Sequence, residues 1–355
     1  GTEVIDLRDA CVGPGLIDGY THLSLAGDGR SYVSMFAESD EMMVLTGALN
    51  LRRHLLAGIT TIREHGARNR VGFTLKEGLG RGFIPGPRML VSGRPITCTG
   101  GHFHMCNETA DGEEEIRRSV RRLVNEGADY IKIMASGGVS STTDRIDSTQ
   151  FSVEELCAAV EEAEAANIYV MAHAYTARAI NRALESGIRS IEHGNYLDES
   201  SCELFKSKNA FLVPTLATYY ALPREGLAAG LHASMVEKIG DTLDKGLQAL
   251  ELAHRSGVSM AYGTDLLGSM QKWQLHEFAL RREVVGIGNA LRSATSDAAE
   301  LLCMEGSIGT LTLGACADLL VVDQDPLERP DTLENLQQHL GHVMINGKIV
   351  FERKN

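Results

Sequence analysis

Eight short apolar, β-rich runs recur along this chain, and a helical pattern follows most of them. That alternation restricts the possible fold more than any other feature. The runs are Leu16–Leu23, Ile59–Gly66, Pro87–Gly93, Asp129–Met134, Ile168–Ala174, Ser190–Gly194, Phe211–Leu216 and Ser259–Asp265. Between them, EEEIRRSVRRLVNEGA carries apolar residues at helical spacing and stops at a glycine. SVEELCAAVEEAEAAN adds Ser152 as an N-cap, with Glu155 three residues on, which is the pattern of a capping box. TARAINRALESG and VEKIGDTLDKGLQALELAHRSG predict helices of the same design. Strands that alternate with helices pair in parallel through crossover connections. Eight such units over about 250 residues fit an α/β fold of the (β/α)₈ TIM-barrel type. The competing doubly wound sheet would favour a GxGxxG turn after its first strand, and none stands there.

After the eighth run the pattern changes. The helix NALRSATSDAAELL precedes GTLTLGACADLLVVDQDPL and HVMINGKIVFE, which read as strands joined by turns, with Asn346–Gly347 as a hairpin signal. The opening TEVIDLRDACVGPG also reads as β-structure. The expected division is 1–14 as the remnant of a β appendage, 15–305 as the barrel and 306–355 as the rest of a small β-sandwich-like appendage formed from both chain ends. Such a unit normally has more strands, so an N-terminal part is expected to be missing.

Charge and cysteine content narrow the function classes. Lys and Arg total 34 against 47 Asp and Glu, a formal charge of −13, with no basic stripe. This argues against nucleic acid as the main partner. Seven scattered cysteines, an odd number without a CxxC pair, argue against a disulfide framework and for a reducing, cytoplasmic setting. No run approaches 18 apolar residues, so no membrane span is predicted. The composition, 43% hydrophobic and 23% charged, is that of an ordinary globular enzyme acting on a small molecule.

The chemistry concentrates where the strands end. Active sites of this barrel lie at the C-terminal ends of its strands. There the sequence places Tyr20 and His22, Lys132, His173, His193 and Asp265, each in an apolar run. A charged or imidazole group is costly in such a run unless it is paired or bound to a metal. A single histidine at a strand end is more often a hydrogen-bonded core residue, but several separate strand ends are hard to explain in that way. Tyr20 and His22 are two apart and share one strand face. The three histidines can offer neutral nitrogen ligands and Asp265 an oxygen. Lys132 cannot ligate as an ammonium, but as a neutral amine it could capture carbon dioxide as a metal-bridging carbamate. No GxSxG elbow is present, which suits a water nucleophile.

The motifs PGLIDGYTHL, LLAGITTIREHG, GPRMLVSGRPIT, GGH, EGADYIKIMASGG, AHAYT, SIEHGN, VPTL, YGTD and SATSDAAELL with GTLTLGACADLLVVDQDPL span nearly the whole chain. Together they resemble the amidohydrolase superfamily. The likeness is to its imidazolonepropionase-related branch of metal-dependent Xaa-Pro dipeptidase and carboxypeptidase-like enzymes, with ochratoxin-degrading amidases and phenylurea hydrolases as relatives. The resemblance implies one or two divalent metals per chain, zinc foremost, and a homo-oligomer. It makes His22 a ligand of the more buried metal, Lys132 the carboxylated bridging lysine, and His173 and His193 ligands of the more exposed metal. Asp265 becomes both a ligand and the catalytic proton shuttle. His102, after Gly100–Gly101, would approach the substrate carbonyl or carboxylate, with a loop-stabilising role as the alternative. Tyr219, with Tyr220 competing, and Tyr175 are candidates for substrate binding. His104 and Asn195 are further candidates, and Glu64 and His65 are supporting partners. His54, His232, His254 and His339 read as structural or surface groups. The implied substrate is an amide: an N-acyl amino acid, a dipeptide or a xenobiotic amide, with a carbamate, urea or cyclic amide as alternatives.

One position departs from the pattern. The family's His-x-His pair would put histidine at position 20, where this chain has tyrosine. A phenol is the poorer ligand at neutral pH. Tyr20 could coordinate as phenolate, weaken or empty the first metal site, or leave an impaired or inactive barrel.

Overall fold

The computed structural model describes residues 7, 9–30, 34–35, 37–104, 106–141 and 144–353. All eight expected runs form strands: β2 (Leu16–Thr21), β3 (Ile59–Glu64), β4 (Arg88–Val91), β7 (Ile131–Met134), β8 (Val170–Thr176), β9 (Ser190–Tyr196), β10 (Phe211–Val213) and β11 (Ser259–Met260). Two short strands, β5 (Ile96–Thr97) and β6 (Glu108–Thr109), lie in the loops after β4. Every pairing among these strands is parallel. They form one sheet ordered β2-β3-β4 and a second ordered β11-β10-β9-β8-β7-β5-β6. Strands β2, β3 and β7 are buried on both faces, the signature of a parallel sheet covered on each side.

The ladder does not run unbroken around the eight strands. A few isolated hydrogen bonds span each interruption. Between β4 and β7, the Asp129 amide donates to the Val91 carbonyl at 2.8 Å, and the Val91 amide donates to the Asp129 carboxylate at 2.8 Å. Between β2 and the segment after β11, the amides of Thr264 and Asp265 both donate to the Tyr20 carbonyl, at 3.0 and 2.8 Å. Tyr20 therefore sits on a seam, next to the loop that carries Asp265.

The helices follow from local sequence. Ser152 caps Val153–Ala165 in the expected capping box with Glu155. Glu113–Glu126 ends on Gly127, whose φ of 100° suits only glycine. Two predicted helices are each divided. The segment from 236 to 257 is split into Ala233–Ile239 and Thr242–Ser256, because Gly240 turns the backbone to φ 44°. The helix expected over 289–302 is split into His276–Ser293 and Ser296–Leu301, with Thr295 in a non-helical conformation.

The chain ends meet in a four-stranded antiparallel sheet, ordered β1 (Cys11–Pro14), β12 (Leu319–Val322), β13 (Leu340–Ile345) and β14 (Lys348–Glu352). Asn346 and Gly347 form its two-residue turn with φ 49° and 74°, a type I′ geometry. Among the described residues this is one sheet and not the two layers of a sandwich; residues 1–6 and 8 of the expected N-terminal remnant lie outside the described ones. Its Leu320, Val322 and Val343 join the core built on β2, β3 and β4. A separate core lies on the β7–β10 side. Among the described residues no helix is long and apolar enough to cross a membrane.

Candidate active site

The six residues singled out at the strand ends line one cleft: Tyr20, His22, Lys132, His173, His193 and Asp265. The cleft encloses about 780 Å³ of empty space, with the solvent at its open mouth included. His102 and Tyr175 share the lining, and Leu25, Met134, Val139, Leu222 and Leu267 supply apolar wall.

On one wall, β8 and β9 pair in register as far as Ala174 and His193, shifting between Ala174 and Thr176, and bring two imidazoles together, with the His173 and His193 ring centroids 4.6 Å apart. Nε2 of His173 lies 3.1 Å from the Gly137 carbonyl, and Nδ1 of His193 lies 2.8 Å from the Thr215 hydroxyl. His102 stacks on His173 at 4.5 Å and meets Asp144 through Nδ1 at 3.1 Å. The Gly138 backbone fits beneath these rings only because it lacks a side chain; a Cβ there would lie 2.5 Å from His102 and 2.9 Å from His173.

On the other wall, Nε2 of His22 stands 3.4 Å from Asp265. Tyr20 stacks face to face on His65, at 3.9 Å and 11°, and its hydroxyl accepts a 2.7 Å hydrogen bond from Nζ of Lys132. Lys132 also donates to the His65 carbonyl at 3.0 Å. His65 is thus a direct support for both Tyr20 and Lys132.

Burial sets the charge state of this cluster. Desolvation holds His22, His173 and His193 well below the ordinary imidazole range, with the Lys132 charge acting in the same direction. The three rings are therefore neutral at pH 7. Burial pushes the Asp265 carboxyl up, opposed by Lys132, and the Lys132 amine down, opposed by Asp265. Burial also pushes the Tyr20 phenol well above its usual range, which speaks against a free phenolate. Three neutral imidazoles and a carboxylate are the donor chemistry of a divalent cation site. The donors stand as two separate pairs, however, and among the described residues no three of them converge to hold an ion as placed.

Three of the nine non-glycine residues with positive φ, among the described residues, lie at this place. His193, Thr215 and Asp265 adopt φ of 74°, 51° and 51°. Such geometry costs roughly 1–3 kcal/mol per residue and gathers at active sites.

The sequence model of the amidohydrolase family matches residues 11–350. This chain belongs to the amidohydrolase family. It is 31% identical to the ochratoxinase of Aspergillus niger, over 95% of this chain and 75% of that protein. A solved prolidase in complex with N-methylphosphonate-L-proline is 40% identical, covers 98% of this chain with 89% of its own, and superposes with a TM-score of 0.93. A Xaa-Pro dipeptidase with methionine bound in its active site is 28% identical, with coverage of 98% and 88% and a TM-score of 0.88. The amidohydrolase described here is accordingly a hydrolase acting on C–N bonds.

Other sequence candidates of the amidohydrolase lie away from the cleft. Tyr219 sits behind the wall, fully buried, and its hydroxyl donates to that of Tyr175 at 2.8 Å. Tyr220 packs outward against Arg224 and His276. His104 is exposed in its loop, beside the Gly101 carbonyl. The Asn195 amide is engaged by the Thr242 carbonyl. His54 is fully buried and bridges the Thr21 hydroxyl and the Asn50 carbonyl. His232 caps the helix Ala233–Ile239.

Sequence reasoning passed over two pieces of the amidohydrolase site. Arg63 and Glu192, both with no exposed side-chain surface, form an ion pair at 2.9 Å across the strand interior. Arg63 also donates to the Gly19 carbonyl and the Ser190 hydroxyl, tying β2 to β9. The signal was present, since both charges interrupt apolar runs as Lys132 does. Asp144, the partner of His102, and Arg68, which lines the cleft and pairs with Asp40 at 2.8 Å, lie in loops where no periodicity marks a charge as unusual.

Proposed function

We propose that this chain is a metal-dependent amidase. It would cleave an amide bond beside a carboxylate, in an N-acyl amino acid, a dipeptide or a xenobiotic amide, within a (β/α)₈ unit spanning about residues 15–305. The observation that carries the reading is the meeting, in one cleft, of three imidazoles held neutral by burial with a carboxylate and a buried lysine. The residues that would hold a divalent cation such as zinc are His22, His173, His193 and Asp265. Lys132 stands where the family resemblance places a carboxylated lysine. When bound, the cation would acidify water and polarise the scissile carbonyl.

The chain's own groups supply the rest. Asp265, pushed up by burial, takes a proton from the attacking water and returns it to the leaving nitrogen. His102 has its Nδ1 engaged by Asp144, so its Nε2 is left for the substrate. Tyr175, whose hydroxyl accepts a hydrogen bond from Tyr219, lines the same space. The apolar wall of Leu25, Val139, Leu222 and Leu267 excludes water and accepts an apolar side chain.

Turnover of a panel of N-acyl amino acids, Xaa-Pro dipeptides, cyclic amides and ureas, before and after chelation and zinc addition, tests this reading. Hydrolysis of the carboxylate-bearing amides, lost on chelation and restored by zinc, is expected. Activity that survives complete removal of metal would sink it.

A further inference from the structure

Resting on the metal-dependent reading above, we propose that Tyr20 keeps Lys132 as a free amine, so that this chain carries one divalent cation and no lysine carbamate. The starting point is a count of hydrogens. Nζ of Lys132 donates to two acceptors at once, the Tyr20 hydroxyl at 2.7 Å and the His65 carbonyl at 3.0 Å. A neutral amine has two N–H bonds and can satisfy both acceptors. Carboxylation forms a bond from Nζ to the carbon of carbon dioxide and releases one proton. The carbamate nitrogen keeps a single N–H. The carbamate nitrogen can therefore donate to only one of these two acceptors, and the Tyr20 hydroxyl has to turn from acceptor to donor to keep its partner.

Neither acceptor can withdraw easily. The His65 carbonyl follows directly on β3. The Tyr20 ring is clamped on several sides: stacked on His65 at 3.9 Å, edge-on to His193 at 5.2 Å, and with its backbone amide held by Asp18 at 3.0 Å. Gly263 closes the space behind it, where an added Cβ would lie 2.8 Å from the Tyr20 Cβ. Lys132 is itself 1% exposed, and a stranded buried polar group is costly. The phenol thus occupies the coordination space of the lysine nitrogen and removes a histidine donor from the first cation position at the same time. Without an anionic bridge, two adjacent cations have nothing to offset their repulsion.

The test uses the whole chain loaded with zinc in ¹³C-labelled bicarbonate. Metal is counted by mass spectrometry and the carbamate carbon is sought by ¹³C NMR. The wild type is expected to hold about one zinc per chain and to show no carbamate resonance. Tyr20→Phe keeps the ring and removes only the acceptor; it is expected to gain the resonance. Tyr20→His is expected to gain the resonance and to rise to about two zinc per chain. A carbamate resonance in the wild type, or its absence from both folded variants, overturns the proposal. Zinc absent from all three proteins overturns instead the metal-dependent reading on which the proposal rests.

Discussion

The two walls of the cleft are built to different standards. On the β8–β9 wall the strands pair in register as far as Ala174 and His193, and each imidazole has a hydrogen-bond partner at 3.1 Å or closer. On the β2–β3 wall, His22 reaches both Gly66 and Asp265 only at 3.4 Å. There, both carboxyl oxygens of Glu64 and Nδ1 of His65 are buried without a well-formed hydrogen bond, as Oγ1 of Thr176, Oε2 of Glu192 and Oδ1 of Asn195 are on the β8–β9 wall. The wall whose histidine is held more loosely is also the one where the chain departs from the family pattern, at Tyr20, and where the strand ladder is interrupted. A buried polar group left without a partner costs free energy. On the β2–β3 wall, the loosely held His22 and the unpaired Glu64 carboxyl make stability and charge state sensitive to a change of residue or pH.

The largest expected effect lies on the ordered wall. His193→Ala removes a donor that the neighbouring strands hold in place, and with it several kcal/mol of charge stabilisation, so kcat/KM should fall on the order of 10³-fold. Bound zinc should be lost in parallel. His22→Ala, on the opposite wall, should cost roughly tenfold. Equal losses in the two variants, with equal loss of zinc, would erase the functional distinction between the walls.

The next effect concerns the tie between them. Arg63 grips the Gly19 carbonyl of β2 and the Glu192 carboxylate of β9 in the buried interior. Arg63→Met leaves Glu192 buried without its counter-charge, which should cost about 3–5 kcal/mol in urea unfolding. Converting Glu192 to leucine as well should recover much of that loss. A single variant within about 1 kcal/mol of wild type would show that the walls are held together by something else.

The fate of individual residues shows why the walls differed in legibility. His173, His193 and Lys132 could be read because each is a polar group in an apolar β run, and burial makes that combination costly. Arg63 and Glu192 satisfy the same criterion and could have been read by it. The Ser152 capping box and the Asn346–Gly347 turn could also be read, because their geometry is local. Asp144 and Arg68 could not, since loop charges acquire meaning only when the chain brings them to a cleft. The split of two predicted helices turns on Gly240 and Thr295, single backbone conformations that hydrophobic periodicity does not report. Tyr219 and Tyr220 are adjacent in sequence, and only packing decides that one supports Tyr175 while the other faces Arg224.

Glu64 gives the β2–β3 wall a pH dependence. Burial pushes its carboxyl from 4.5 up to about 7, against the pull of Lys132 and the Gly66 amide. A raised carboxyl contributes stability that is fully present below about pH 4.5 and is lost as pH rises through about 7. At 1.36 kcal/mol per pKa unit, the loss approaches about 3 kcal/mol. Glu64→Gln cannot ionise. Its stability should match wild type near pH 4.5 and exceed it at pH 8, as read from urea midpoints at the two pH values. A difference that stays constant with pH would remove Glu64 from the account.

The smallest expected effect separates the lining of the ordered wall from what stands behind it. Tyr219 contributes no surface to the cleft, and its hydroxyl donates to Tyr175, which does line it. Losing one such hydrogen bond costs about 0.5–1.5 kcal/mol. If Tyr219 acts by aiming Tyr175, then Tyr219→Phe should raise KM by a few fold and leave kcat and zinc content unchanged. In a Tyr175→Phe background the same substitution should have almost no further effect, because the bond it removes no longer has its acceptor. Were Tyr219 instead to reach the substrate carboxylate, its loss would raise KM equally in both backgrounds, and more steeply for substrates that carry the carboxylate than for their amides. The double-mutant cycle on KM, run with one acid and its matched amide, distinguishes a residue that touches substrate from one that holds another in place.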